Sequence, residues 1–422
     1  MKLTKLEKQW VLYDVGNSAF TLLVTTILPI YFNALAGSAG LSEVDYLAYW
    51  GYAASIGTLL VALSGPLFGT LADNKGFKRP IFIASILLGA VGCLALGLAK
   101  QWLMFLVIFI IAKFGYSVSL IFYDSMLGDI TEPDRMDVVS SNGYAWGYIG
   151  SCIPFAACLV LVLGCDVIGI TMELAMGLSF FIIAAWWICC TLPLLKNYQQ
   201  KHYVEHQPGA AVQTFARLWS TIKGLKNEKQ VLFFLLAFFF YIDGVYTIID
   251  MATAYGSALG LDSTGLLLAL LVTQIVAFPC AIIFGRIAKK FAADKLITVC
   301  IIAYTCIAVY AMFMKTQAQF WMLAVCVGMF QGGIQALSRS YFARIIPKEK
   351  SGEYFGLMDI CGKGAAFMGT GVVSIVSQLT GDINKGVGAI ALLFVVGILF
   401  FVKTVKCGKA ANKQEKSTSV DV

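Results

Sequence analysis

Six ionisable side chains fall inside otherwise apolar stretches of this sequence: Lys113, Asp124, Asp243, Asp250, Asp359 and Lys363. At the centre of a bilayer-spanning helix such a group costs roughly 2.5–3.5 kcal/mol, so it usually faces a cavity or a partner. Asp243 and Asp250 are two helical turns apart, and both carboxylates project from one face. That face is expected to line a cavity, although Asp250 alternatively rests in the outer interface. A carboxylate desolvated at Asp243, beside Gly244, could take up a proton. Asp359 and Lys363 have the i, i+4 spacing of an intrahelical ion pair. Two readings stay open for them: a self-neutralised pair that only lowers the insertion cost, or a pair for which a solute or proton competes, switching between states. Lys113 and Asp124 share a face, but about 16 Å separates them at 1.5 Å per residue, so they cannot pair directly.

Asp14 and Arg339 lie nearer the ends of their runs. Arg339 could meet Asp124 or Asp14, and its guanidinium fork would equally suit a solute carboxylate. Asp14 stands at the start of its run, where an acid favours the helix dipole, so capping is its simplest reading. Asn17 and Ser18, one turn deeper, offer uncharged groups to a zwitterion, with Tyr13, Trp146 and Tyr148 as aromatic walls. Gln274 and Gln335 are similar candidates. His202 and His206 are the only histidines; both sit in a polar stretch, which excludes a histidine proton relay in the membrane and reads them as solvated loop residues. The 12 cysteines are scattered without metal-ligand spacing. A membrane-embedded enzyme would need a nucleophile, general base or metal cluster at one depth, and none is present in the sequence. No metal or cofactor is expected.

The elements that must position these residues are membrane helices. Of 422 residues, 59% are hydrophobic and 13% charged, and the mean hydropathy is +0.80; no soluble globular class accommodates this. A spanning helix needs about 20 apolar residues. Six runs qualify in the first part: Val11 to Leu35, Tyr46 to Ala72, Pro80 to Ala99, Trp102 to Leu127, Gly143 to Gly164 and Thr171 to Leu195. Six follow: Val231 to Gly256, Gly265 to Ala288, Leu296 to Met314, Phe320 to Ile345, Tyr354 to Leu379 and Ile383 to Val402. Pro29, Pro154 and Pro279 inside runs are expected to kink them. The first run is too long for a signal h-region and is expected to stay in the mature protein.

Basic loops resist translocation. With both termini in the cytoplasm of a cell membrane, nearly all Lys and Arg fall inside and Lys100, Lys315 and Lys385 face out. The net charge of +7 is then accounted for by the anionic inner leaflet, with no nucleic-acid partner. Residues 196–230 are the longest polar stretch and read as a cytoplasmic linker between six-helix bundles at 1–195 and 231–405, with a cytoplasmic tail at 406–422. The expected architecture is therefore all-α, twelve transmembrane helices in two bundles of parallel orientation, a pattern that places a site at the midplane between repeats. A faint echo supports duplication: Gly69-Thr-Leu-Ala-Asp-Asn-Lys-Gly76 returns, without its Asp, as Gly285-Arg-Ile-Ala-Lys-Lys-Phe-Ala292.

Gly69-x-Leu71-Ala72-Asp73-x-x-Gly76, followed by Lys78 and Arg79, resembles the signature between spans two and three of the major facilitator superfamily. It departs at Asn74, where a basic residue is usual, and at Phe77. Gly69 and Gly76 would permit a tight turn, Asp73 would accept from helix N-terminal amides, and Lys78 and Arg79 would anchor to lipid phosphates. Tyr13-Asp14-x-x-Asn17-Ser18, Tyr123-Asp124, the Gly143 to Gly150 stretch with Trp146 and Tyr148, Tyr241-x-Asp243-Gly244, Gly332-Gly333-x-Gln335 leading to Arg339, and Glu353-Tyr-Phe355-Gly356 with Lys363 resemble the vacuole-effluxer-like branch. The resemblance spans Trp10 to Gly369. It implies a small organic solute, fungal vacuolar members being associated with amino-acid efflux; alternating access by a monomer is expected. Together with midplane groups of both charges, it leads to an expected proton-coupled transporter of amino acids or related zwitterions. Other solute classes, such as sugars, nucleosides or drugs, and a non-transporting receptor remain the alternatives.

Overall fold

The computed structural model describes residues 2–41, 43–205 and 210–418. His206, Pro208 and Gly209 lie outside the described residues. The described chain is helical nearly throughout: α1 (Lys5–Leu22), a π-turn (Leu23–Ile27), α2 (Leu28–Ser38), α3 (Glu43–Ala72), α4 (Lys78–Leu96), α5 (Trp102–Ser125), α6 (Leu127–Ile130), α7 (Met136–Leu163), α8 (Cys165–Ile168), α9 (Met172–Asn197), α10 (Ala210–Gly224), α11 (Lys229–Ala258), α12 (Ser263–Ile287), α13 (Ala293–Ala311), α14 (Gln317–Ile345), α15 (Ser351–Thr380) and α16 (Ile383–Thr418).

Ten of these helices, α3, α4, α5, α7, α9, α11, α12, α13, α14 and α16, contain stretches long and apolar enough to cross a bilayer. The first span is broken: α1 and α2 flank the π-turn and form one bent pair. Thr25 and Thr26 turn their hydroxyls back onto the carbonyls of Thr21 and Leu22 there, which bends helices. Pro29 lies in the break between the two members of this pair, Lys5–Ile27 and Tyr31–Ser38; it has no N–H to carry the helical bonding through, in keeping with the kink expected there. α15 carries Glu353, Asp359 and Lys363 along its 30 residues and completes a set of twelve.

α1 starts at Lys5 rather than Val11 because Thr4 caps it. The Thr4 hydroxyl accepts from the Glu7 amide at 3.2 Å while the Glu7 carboxylate accepts from the Thr4 amide at 2.7 Å, a reciprocal box that satisfies two orphan donors. Asp14 lies well inside α1, so the capping role read for it belongs to Thr4 and Glu7.

The chain divides into two compact units, one of residues Met1–Glu132, Trp146–Pro208 and Glu349–Gly356, the other of Pro133–Ala145, Gly209–Lys348 and Leu357–Val422. In unit 1, α1 packs on α9, α4 on both α5 and α9, and α3 on α5. In unit 2, α11 packs on α16, α13 on both α14 and α16, and α12 on α14. Numbering the spans within each half, the pairs coincide: first with sixth, third with fourth and sixth, second with fourth. The repeat that is faint in the loops is plain in the helix pairing.

Small residues make the close approaches. Gly89 of α4 leaves room for the Trp187 ring of α9, and Gly244 of α11 for the Phe394 ring of α16. Two features lie beyond the expected outline. The polar stretch after α9 contains the helix α10, and α16 runs on to Thr418, so all of 406–418 is helical.

Candidate functional site

The loop between α3 and α4 shows how a short motif is built. Gly76 has φ +80°, the left-handed region open to glycine, and it turns the chain into α4. Gly69 is not a turn residue. It lies inside α3, and a side chain there would collide with the Gly352 carbonyl at the start of α15. That contact sets the Asp73 carboxylate against the first turn of α15. One of its oxygens accepts from the Gly352 amide at 2.8 Å and the other from the Glu353 amide at 2.9 Å. First-turn amides have no intrahelical acceptor and carry the positive end of the helix dipole, so a carboxylate is their natural partner. Lys78 supplies the countercharge: its ammonium lies 3.5 Å from Asp73, both side chains being 0% exposed, and it donates to the Ser351 hydroxyl at 2.9 Å. Lys78 therefore does not reach lipid phosphates; its ammonium is committed to a buried acid. Arg79 is exposed.

Unit 2 holds the counterpart. Gly285 packs against the Ser141 side chain and Asp137 carbonyl at the start of α7, as Gly69 packs at the start of α15. Lys289 occupies the register of Asp73. The acid comes instead from α7 itself, Asp137, which Arg344 grips through two contacts of 2.8 Å and to which Ser340 donates. Five residues before Arg344 along α14, Arg339 donates from Nε to the Ser140 hydroxyl at 2.9 Å and from Nη2 to the Ser140 carbonyl at 3.0 Å. Its guanidinium carbon stands 4.3 Å from the centre of the Tyr144 ring.

In unit 1, Asp14 is buried and accepts from the Tyr123 hydroxyl at 3.0 Å. Asn17 donates to the Tyr13 carbonyl at 3.2 Å and reaches Asp14 at 3.5 Å. Ser18 is half-buried, and a side chain at Gly147 of α7 would press on its hydroxyl and on Asp14. α1 and α7 thus meet at a glycine that leaves the polar groups of α1 in reach. Trp146, beside that glycine, is 45% exposed, whereas Tyr148 is buried. Tyr13 is not a cavity wall. It is enclosed by Phe82 and Tyr123 and shares a 2.7 Å hydrogen bond with Ser119. Asp124, next to Tyr123, is half-buried. Lys113 turns away along α5 and donates to the Ala54 carbonyl at 3.0 Å and the Thr58 hydroxyl at 3.1 Å.

In unit 2, Asp243 is 0% exposed in the middle of α11. Its Oδ1 accepts from the Gly369 amide at 3.0 Å and the Thr247 hydroxyl at 3.3 Å. Its Oδ2 is buried and has no hydrogen-bond partner among the described residues. Glycine is required at 369, because a side chain would strike Thr247 and the Asp243 carboxylate. Asp250, two turns along α11, is exposed, Asp359 is half-buried, and Gln335 is buried while Gln274 is half-buried. The Lys363 side chain lies outside the described residues, so its pairing with Asp359 does too. Sequence reading overlooked Asp137 and Asp129. It also took His202 for a solvated loop residue, but the ring nitrogen Nδ1 lies 2.9 Å from Asp129. Aspartates near a span end carry no local signal that separates a buried clamp from a solvated cap.

The profile of the family described as "Vacuole effluxer Atg22 like" matches residues 4–415. The chain is 42% identical over 403 residues to the "Uncharacterized MFS-type transporter YxiO" of Bacillus subtilis (strain 168), covering 94% of both chains. It is 22% identical to autophagy-related protein 22 of Coccidioides immitis (strain RS), covering 84% of this chain and 72% of that one. Among solved structures, the major facilitator transporter FucP in its outward conformation superposes with a TM-score of 0.72 at 16% identity, over 95% of this chain and 97% of that one. The human organic anion transporter MFSD10 does so with a TM-score of 0.69 at 13% identity, over 95% and 99%.

Proposed function

Since the chain belongs to the vacuole effluxer Atg22-like family of major facilitator transporters, we propose that it carries amino acids or related zwitterions by alternating access, coupled to protons. The observation that carries this reading is Asp243: a carboxylate within a spanning helix, with one oxygen held by Gly369 and Thr247 and the other buried without a described partner. A buried carboxylate in that position is stable only when protonated or when a cation approaches it. A proton and a substrate ammonium are the two cations that alternating access would bring to it in turn.

Asp14, Asn17 and Ser18, with Tyr123, offer the first half's polar contribution, and Trp146 with Tyr148 an aromatic side to it. Arg339, with its fork already on Ser140, is the candidate for a solute carboxylate, and Asp124, Asp250, Asp359 and Lys363 are further candidates for coupling. Asp73, Gly69, Gly76 and Lys78, with Arg79 beside them, are assigned to the gate. Residues 1–195 and 231–405 are taken as the two moving bundles of a monomer in the cell membrane, with the linker 196–230, the tail 406–422 and both termini cytoplasmic. The family's description as vacuole effluxers is in keeping with a small metabolite as cargo.

The test is a thermal-shift screen of purified protein against amino acids, peptides, betaines, sugars and nucleosides, repeated with Asp243→Asn. It is followed by proteoliposome flux under a pH gradient with whichever solute shifts the protein. Stabilisation by a zwitterion that Asp243→Asn abolishes, with gradient-dependent flux, supports the reading. If only sugars or nucleosides shift the wild type, the zwitterion assignment is wrong. If flux ignores the gradient, proton coupling is wrong.

A further inference from the structure

The residues directly after α9 do more than connect. Four donors converge on Asp129, which is 2% exposed. The Tyr198 hydroxyl reaches Oδ2 at 2.6 Å, while Oδ1 takes the amides of Lys201 at 3.2 Å and His202 at 3.0 Å and lies 2.9 Å from the His202 ring. Burial and the neighbouring Asp129 both raise the Tyr198 phenol well above its ordinary range, so it stays a donor.

From this anchor the chain runs as a strap along the α3–α4 loop. Gln200 donates to the Ala72 carbonyl at 3.1 Å and accepts from the Gly76 amide at 3.1 Å. Two backbone bonds then make a parallel bridge between Asn74 and Val204. The Lys75 amide donates to the Val204 carbonyl at 3.1 Å, and the Val204 amide donates to the Asp73 carbonyl at 2.8 Å. The exposed Lys75–Glu205 ion pair adds little, as such pairs do.

Residue 73 is therefore gripped twice. Its backbone carbonyl is held by Val204, and its side chain carries two first-turn amides of α15, those of Gly352 and Glu353. Within the loop, Gly76 provides the turn and Asn74 donates to the Leu71 carbonyl at 2.9 Å; the strap adds the backbone bonds. We propose that Asp129 is a positioning residue for Asp73: by anchoring residues 198–205 it keeps the α3–α4 loop in register with the first turn of α15. The linker between the halves thereby sets how firmly the Asp73 clamp holds. This holds whatever the solute or coupling ion.

Hydrogen–deuterium exchange of the purified full-length protein reads the clamp directly, because first-turn amides have no helical acceptor and Asp73 is what protects Gly352 and Glu353. Val204→Pro removes the donor to the Asp73 carbonyl, and Asp129→Asn weakens the anchor while keeping its shape. In both, exchange at Gly352 and Glu353 should rise about tenfold, as for the loss of one hydrogen bond of ordinary net strength. Lys75→Ala should leave it unchanged. Faster exchange across 198–205 with wild-type protection at Gly352 and Glu353 would overturn the proposal. Should Val204→Pro fail to fold, Asp129→Asn decides by the same amides.

Discussion

Removing charge from the Asp73 clamp should be far more costly from the acid side than from the basic side. Asp73 and Lys78 are fully buried 3.5 Å apart, so solvent does not screen them. At an effective dielectric constant of 20 their gross attraction is about 5 kcal/mol. Asp73→Asn keeps the shape but discharges the acid. It leaves an uncompensated buried ammonium and turns an NH₂ group or a weaker acceptor toward the Gly352 and Glu353 amides, which now stand 2.8 and 2.9 Å away. The expected cost is roughly 3–5 kcal/mol, the range for breaking a buried pair. Lys78→Met removes the cation, but Asp73 retains two amide donors and the end of the helix dipole, so about 1–2 kcal/mol is expected. The double variant should be more stable than Asp73→Asn alone, because the ammonium stranded by that change is gone. Thermal unfolding of the four proteins in one detergent closes the cycle. Equal losses in the two single variants, or strictly additive losses, would refute the assignment of Asp73 as the centre of the clamp.

Three further expectations concern other parts of the chain. Gly369→Ala should cost about 1–3 kcal/mol through overpacking against Thr247 and Asp243, and Thr247→Ala in the same chain should recover part of it in a thermal-shift assay. The Tyr198 phenol is held above the ordinary value of 10.0 by burial and by Asp129. Its contribution to stability is thus complete below pH 10 and declines as the pH rises through that value, where the unfolded chain releases a proton that the folded chain keeps. The stability advantage of wild type over Tyr198→Phe should narrow above pH 10; a constant difference up to pH 11 would contradict the burial argument. Arg339→Lys keeps the charge but loses the fork on Ser140 and the planar contact with Tyr144; a loss of about 1–2 kcal/mol is expected in thermal unfolding.

The spans were legible because hydropathy is a local property that each helix carries in its own residues. The clamp loop was legible because glycine and aspartate have few substitutes where a turn and a helix end must be served. Legibility failed where a contact depends on distant chain. Lys78 reads as a surface cation from its neighbours Phe77 and Arg79, and only the fold puts Asp73 and Ser351 around it. His202 sits in a polar stretch, yet Asp129, 73 positions earlier in the numbering, holds its ring and leaves it half-buried. The strap at 198–205 pairs through backbone atoms, which leave no trace in side-chain patterns. α10 did leave one, since Leu218, Trp219 and Ile222 recur at helical spacing, but the charge around them made the stretch read as linker. Asp243 stood out in the sequence for the reason that it matters in the structure: an acid has no inexpensive place in the middle of α11.

Neither half of the chain is complete by itself. Unit 1 includes Glu349–Gly356 from the second half of the sequence, and unit 2 includes Pro133–Ala145 from the first. A gene cut between codons 205 and 210 should therefore behave as a split protein. Each fragment made alone would leave vacant the place its borrowed segment fills, Asp73 without the α15 amides in one case and Arg344 without Asp137 in the other. Co-expressed, the two fragments should rescue each other from degradation and copurify through a tag on either one, so that the lent segments act as mutual chaperones in assembly.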